Sequence, residues 1–175
     1  VRVTCFLSSL DLYDGARRAV AASFGPADAT FVQLQRLPVE PVCECEAVGR
    51  LEKPPARAVE LVNPGKSPLF AQYALVNAPK VILTGSQMMF GSEEQDLRLG
   101  FERLGKALES QGGSFRSVVM SNTYPLAASV RDGIRKIRFD YYNQASPPAS
   151  TVLLFEGLPS IDATAAVAVI AAVEP

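Results

Sequence analysis

The sequence predicts a small α/β domain over residues 58–175, preceded at residues 1–50 by the second half of another domain of the same kind. Three observations predict this. Strand-like runs alternate with amphipathic segments of helical period. The order strand, helix, strand, Leu-Pro, strand occurs twice. A proline-rich stretch, with Pro54, Pro55, Pro64 and Pro68, lies between the copies, so residues 51–57 read as a linker and the following residues as the entry to the second domain.

Each element has its own signal. Residues 1–7 (VRVTCFL) read as a strand. Residues 14–24 read as a helix, with Asp14 as N-cap and Ala16, Ala19, Val20 and Phe24 near helical spacing. Residues 29–36 alternate like a half-buried strand that Leu37-Pro38 breaks, and residues 42–49 (VCECEAVG) form another. In the second domain, residues 71–77 and 80–88 read as strands. Ser92-Glu93-Glu94-Gln95 then reads as a capping box, and Leu97, Phe101, Leu104 and Leu108 fall on one stripe of the helix that follows. Gly112-Gly113 ends it. Residues 117–124 predict a strand, 132–142 a helix, 150–155 a strand and 163–173 the last strand.

Composition bounds the function. Hydrophobic residues make up 48% of the 175 and charged residues 20%, which suits a packed core and not a disordered chain. Seventeen basic against 18 acidic residues leave no cationic excess for a phosphate backbone, so nucleic acid is not an expected partner. No apolar run is long enough to span a membrane, and no signal-peptide pattern is present. The chain opens at Val1, without Met, inside a strand-like run, and reads as a fragment or a processed product. Three cysteines, Cys5, Cys43 and Cys45, show no framework spacing, which points to a reducing, cytoplasmic compartment. Cys43 and Cys45 lie about 7 Å apart along a strand, too far for an unstrained disulfide. With no histidine and no second thiol pair, a zinc site is not expected, and the thiols read as core residues. No cofactor is implied.

The repeat carries the most information. Asp14-Gly15-Ala16-Arg17 and Asp132-Gly133-Ile134-Arg135 follow their strands at the same interval, an offset of 118. Pro26-Ala27 and Pro148-Ala149 each precede a strand that ends in Leu-Pro, at Leu37-Pro38 and Leu158-Pro159. The first copy lacks the leading strands and helix, so by repeat logic about 60 residues precede Val1 in the parent chain. A half-domain cannot cover its own apolar sheet face, so an upstream segment or a second chain is expected to complete it.

Several stretches together resemble a known family. They are Val81-Ile82-Leu83-Thr84-Gly85-Ser86-Gln87, the capped helix with its glycine end, Pro147-Pro148-Ala149-Ser150, and Leu158-Pro159 before a final strand. In the first copy they are Pro26-Ala27, Arg36-Leu37-Pro38 and Cys43-Glu44-Cys45-Glu46-Ala47-Val48. The order and spacing are similar to the Rid family, also called YjgF or L-PSP, the reactive intermediate deaminases. The resemblance implies an α+β, chorismate-mutase-like fold, a mixed β-sheet with two helices on one face. It also implies a homo-oligomer, a trimer or pseudo-trimer, with clefts for small metabolites between domains or subunits.

Family members that hydrolyse 2-imino acids carry an arginine after Pro-Ala that holds the substrate carboxylate, and a glutamate on the last strand that handles water. Here the arginine position reads Ser150 in the complete copy and Asp28 or Ala29 in the first. The glutamate position reads Glu46 in the first copy and Val167 or Ala168 in the second. Neither copy carries the pair. The second helix of each copy does carry an arginine, Arg17 and Arg135, where the family commonly has Asn, and these are candidates for a relocated anion clamp beside Glu46. Gly85 and Ser86, after a strand, are candidates for backbone contact with a ligand, and Phe70 lies near the family's aromatic cleft position, with core packing as its plainer role. The expected function is that of a divergent member that binds a small anionic metabolite, with its imine-deaminase motif degraded. The alternatives are an enamine or imine hydrolase using Glu46 and a helix arginine, and a structural paralogue that assembles with an active partner. Gly65-Lys66-Ser67 is not a P-loop, because Pro68 blocks the helix that such a loop must open. Without histidine, Ser-His-Asp and Cys-His schemes fall away within this chain.

Overall fold

The computed structural model describes residues 2–26, 28–34, 43–67, 69–158 and 160–173. The expected breaks at Arg36-Leu37-Pro38 and Leu158-Pro159 lie wholly or partly outside them, as do Ala27 and Val42. The chain divides into two compact units, residues 1–53 and 54–175.

The first unit has strand β1 (Arg2–Leu7), a 3-10 turn at Leu10–Leu12, helix α1 (Tyr13–Phe24), β2 (Asp28–Gln33) and β3 (Cys43–Val48). Val3, Cys5 and Leu7 alternate along β1 and are all fully buried, the period of a strand with a covered face. The helix begins one residue before the expected cap, because Ser9 caps the preceding turn by accepting from the Asp11 N–H at 3.2 Å. It ends at Gly25, whose φ of 62° only glycine adopts freely and whose N–H bonds the Ala21 carbonyl. Val20 packs with Val3 and Cys5, joined by Phe31.

The second unit begins with a hairpin of β4 (Val59–Val62) and β5 (Tyr73–Val76). The first of these strands falls inside the stretch that its prolines marked as irregular. The strand expected at 80–88 is two, β6 (Lys80–Leu83) and β7 (Gln87–Phe90), both antiparallel to β10 (Ala163–Val173). Thr84-Gly85-Ser86 separates them, and Thr84 holds on through its N–H to the Val169 carbonyl and through its hydroxyl, which accepts from the Val169 N–H. Helix α2 (Glu94–Glu109) follows, then β8 (Val118–Thr123), α3 (Ala128–Ile137), a 3-10 turn at Arg138–Asp140, and β9 (Ala149–Val152). The sheet order is β6-β10-β8-β9, with β7 also beside β10.

Both helices of this unit cover one sheet face. Ala165, Val167, Val169 and Ala171 point from β10 into Leu97, Phe101, Leu104 and Leu108 of α2 and Val130, Ile134 and Ile137 of α3. The cap of α2 is shifted from the expected box: Glu93 is the N-cap, and Asp96, not Gln95, reaches back to its N–H at 3.2 Å. That carboxylate occupies the space where a Cβ at Gly91 would stand, and Gly91 has a φ of 94°. Gly91→Ala is therefore expected to cost about 1–3 kcal/mol in denaturant unfolding, through both the backbone and the cap. Helix α3 starts four residues earlier than expected and stops at Ile137, since Val130 belongs to the same buried stripe as Ile134 and Ile137.

The two units share a topology. In the first, β1 is parallel to β2 and antiparallel to β3; in the second, β8 is parallel to β9 and antiparallel to β10. At the offset of 118, Thr4 corresponds to Asn122. Glu46 faces Thr4 and Ala168 faces Asn122, so Ala168 is the counterpart of Glu46. By the same register Ala29, not Asp28, corresponds to Ser150.

The cysteines depart from expectation. Cys5 and Cys45 sit opposite each other on β1 and β3, with Cα atoms 4.1 Å apart, and form a disulfide. Cys43 is exposed and not a core thiol. The i, i+2 spacing excludes only a Cys43–Cys45 pair. The partner comes from another strand, 40 residues away, where spacing along the sequence gives no warning.

Candidate functional site

Arg138 is the residue that the sequence reading missed. At the offset of 118 it corresponds to Val20, a core residue of the first unit, and it is itself 7% exposed. The turn that carries it is anchored by Arg98 of α2, which bonds Asp140 at 2.7 Å and Glu94 at 2.8 Å. Its guanidinium donates from Nη1 to Ser150 Oγ at 3.3 Å and from Nη2 to the Leu69 carbonyl at 2.5 Å, and it lies 4.7 Å from the Phe139 ring centroid. Among the described residues no carboxylate lies within ion-pair distance of it, and its Nε is buried without a hydrogen-bond partner. Burial pushes its pKa below the ordinary arginine value, with Arg135 adding to this and Tyr142 opposing it. The group nonetheless stays a cation at any ordinary pH. A buried cation without a counter-ion is costly, and an anion bound beside it offsets that cost.

Tyr142 is packed beside it. Its hydroxyl is 2.8 Å from Ser121 Oγ, and burial pushes the phenol up to about 12. The neutral form is therefore favoured in the folded state, so its stabilisation is full below an unfolded-state value of about 10 and is lost as pH rises towards 12. Unfolding curves measured across this alkaline window are expected to show the loss, and Tyr142→Phe to remove it. At neutral pH the same variant costs about 1 kcal/mol, because Ser121 loses its partner.

The sequence candidates are placed as follows. Ser150 joins Arg138, and Phe70, more than a third exposed and not in the core, follows the carbonyl that Arg138 binds. Arg135 is exposed on α3, its Nη1 4.0 Å from Asp132. Gly85 and Ser86 are exposed in the break between β6 and β7. Arg17 is exposed on α1, beside a shallow groove with Asp14, Arg18 and Ala21. Glu46 is half-buried on β3, on the face it shares with Thr4. Helix α1 packs through Val20 on the opposite face, that of Val3 and Cys5, so the sheet separates Glu46 from the helix that bears Arg17. A mixed groove of about 1080 Å³ in the second unit is walled by Arg57, Glu60, Asn63, Arg116 and Asn143; Arg138, Ser150 and Phe70 do not line it. No helix among the described residues is long and apolar enough to cross a membrane.

A missed signal for Arg138 existed in the repeat. An arginine stands where the other copy has a buried valine, and a charge at a core position is the informative exception.

Solved structures place this fold. A protein of unknown function of the Rid family from Yersinia pestis superposes with a TM-score of 0.59 at 14% identity, over 67% of this chain and all of its own. A YjgF-family protein from Neisseria meningitidis does so with a TM-score of 0.50 at 11% identity, over 67% of this chain and 96% of its own. No protein-family model matches the sequence, and no curated protein does. The fold is thus the α+β fold of the Rid/YjgF proteins, a mixed sheet with helices on one face, as the resemblance implied.

Proposed function

We propose that this chain is a divergent Rid-like protein that binds a small carboxylate-bearing metabolite at Arg138, with a second copy closing the cleft in a trimer or pseudo-trimer. The observation that carries the reading is the buried guanidinium without a carboxylate partner among the described residues. Its neighbours suit a ligand: the Ser150 hydroxyl supplies a second polar contact, and Phe70, next in the chain to Leu69, has an exposed ring. The clamp thus sits three residues beyond Arg135, in the turn and not on the helix.

Imine-deaminase chemistry is reduced or lost in this reading. In the second unit Ala168 stands where the first has Glu46, so no acid shares a unit with the clamp at that position. The shared topology further supports a tandem origin, with the first unit as the latter half of a second domain.

Calorimetric titration of the chain with pyruvate, a small 2-oxo carboxylate, tests the proposal. Arg138→Met is expected to weaken binding by about 10- to 100-fold, the worth of charge-assisted hydrogen bonds, while Arg135→Met leaves it unchanged. No binding by the parent chain at millimolar ligand, or equal losses in both variants, overturns it. Arg138→Met is also expected to fold, with stability within about 1 kcal/mol of the parent, because relief of a buried charge is opposed by the loss of the donors to Ser150 Oγ and the Leu69 carbonyl.

A further inference from the structure

The fold assembles a sulfur cluster that the sequence spacing hides. Cys5 on β1 faces Cys45 on β3, and Cys43 lies two residues along β3, opposite Leu7 and on the same sheet face. The three sulfurs lie within 4.8 Å of one another. Among the described residues β3 is the last strand of its three-stranded sheet, and Cys43 and Cys45 are exposed while Cys5 is fully buried. Within the described residues of this unit the cluster is thus backed by the core at Cys5, which gives a cation a fixed floor.

We propose that, once the Cys5–Cys45 disulfide is reduced, Cys5, Cys43 and Cys45 form a three-thiolate site for one soft cation of the zinc or copper(I) type, and that the disulfide is its closed state. Reduction by a dithiol breaks the Cys5–Cys45 bond. The reductant supplies two electrons and two protons, and closes its own disulfide. Binding then releases the thiol protons as the three sulfurs coordinate. Tetrahedral zinc–thiolate bonds of about 2.3 Å set sulfurs about 3.8 Å apart. The separation here is close enough that side-chain rotation at the exposed Cys43 can supply the difference, with the backbone held by the β1–β3 ladder. Three sulfurs leave the fourth tetrahedral position to water or an outside ligand. Thiolate donors select soft metals over magnesium or calcium.

The test is anaerobic titration of the phosphine-reduced chain with cobalt(II), followed by zinc. Expected are a sulfur-to-cobalt charge-transfer band that saturates at one metal per chain, its loss on adding zinc, and no band in the oxidised chain. Cys43→Ser keeps the disulfide pair and is expected to weaken metal binding by at least about 100-fold, more than the loss of an outer contact does. Alkylating Cys43 in the native oxidised chain and then reducing it should give the same loss without a mutation. No band in the reduced chain, a band that survives both changes at Cys43, or two chains per cobalt overturns the proposal.

Discussion

Replacing Phe101 by alanine is expected to remove about 3–5 kcal/mol of stability, among the largest single losses available in the second unit. Phe101 is 1% exposed and stands where α2, the turn after α3 and the sheet meet. Its ring stacks on Tyr141 at a centroid distance of 4.8 Å, meets Tyr142 edge-on at 6.0 Å and lies 6.1 Å from Phe115. Truncation forfeits the transfer energy of the ring and leaves a cavity that three aromatic neighbours are too rigid to refill. Tyr142 and Arg138 belong to the same corner, so the loss should reach the site. Urea unfolding gives the magnitude, and the pyruvate titration of the same variant gives the functional consequence, a weaker affinity at temperatures where the chain remains folded. Phe101→Leu should recover more than half of the stability, because most of the volume returns. A loss below about 1 kcal/mol for the alanine variant would mean that this corner does not pack as described.

Much of the fold was legible in the sequence because its signals are local. The stripe of Leu97, Phe101, Leu104 and Leu108 has one solution, a helix lying on a sheet, and all four residues are buried. The Ala/Val run of residues 163–173 reads as the last strand and is β10, mostly buried; its central place in the sheet is a matter of pairing that the run itself does not show. What escaped depends on contacts between distant residues. Cys5 and Cys45 are partners because the register of β1 on β3 makes them so, and neither neighbourhood carries a disulfide spacing. The site divides in the same way. Ser150 was visible as a family position, whereas the guanidinium that bonds it comes from position 138, just past a helix that the sequence reading ran on to residue 142. Arg135 carried the repeat signature but lies on the exposed side of α3, whereas Arg138 follows the buried stripe of Val130, Ile134 and Ile137.

The register also decides where an acid could return to the second unit, and here the sequence left two positions open. Val167→Glu is expected to destabilise the chain by on the order of 4 kcal/mol or more, since a carboxylate there must lose its hydration or its charge. Val167 is fully buried among Leu97, Phe101 and their neighbours on the helix-covered face, between Thr123 on one side and Gln87 on the other. Ala168→Glu should cost less than about 1.5 kcal/mol, because the side chain enters the opposite, half-buried face beside Asn122. Denaturant midpoints of the two variants, one residue apart and introducing the same side chain, report chiefly on the facing of β10. If Ala168→Glu unfolds and Val167→Glu does not, the strand is turned over, and Glu46 then corresponds to Val167. The facing of β10 has a functional corollary. Arg138 reaches the sheet through Ser150, whose cross-strand neighbour Ser121 faces Tyr142 on the helix side, whereas a glutamate at 168 stands on the other side. Restoring the acid alone is therefore expected to leave pyruvate affinity at Arg138 unchanged.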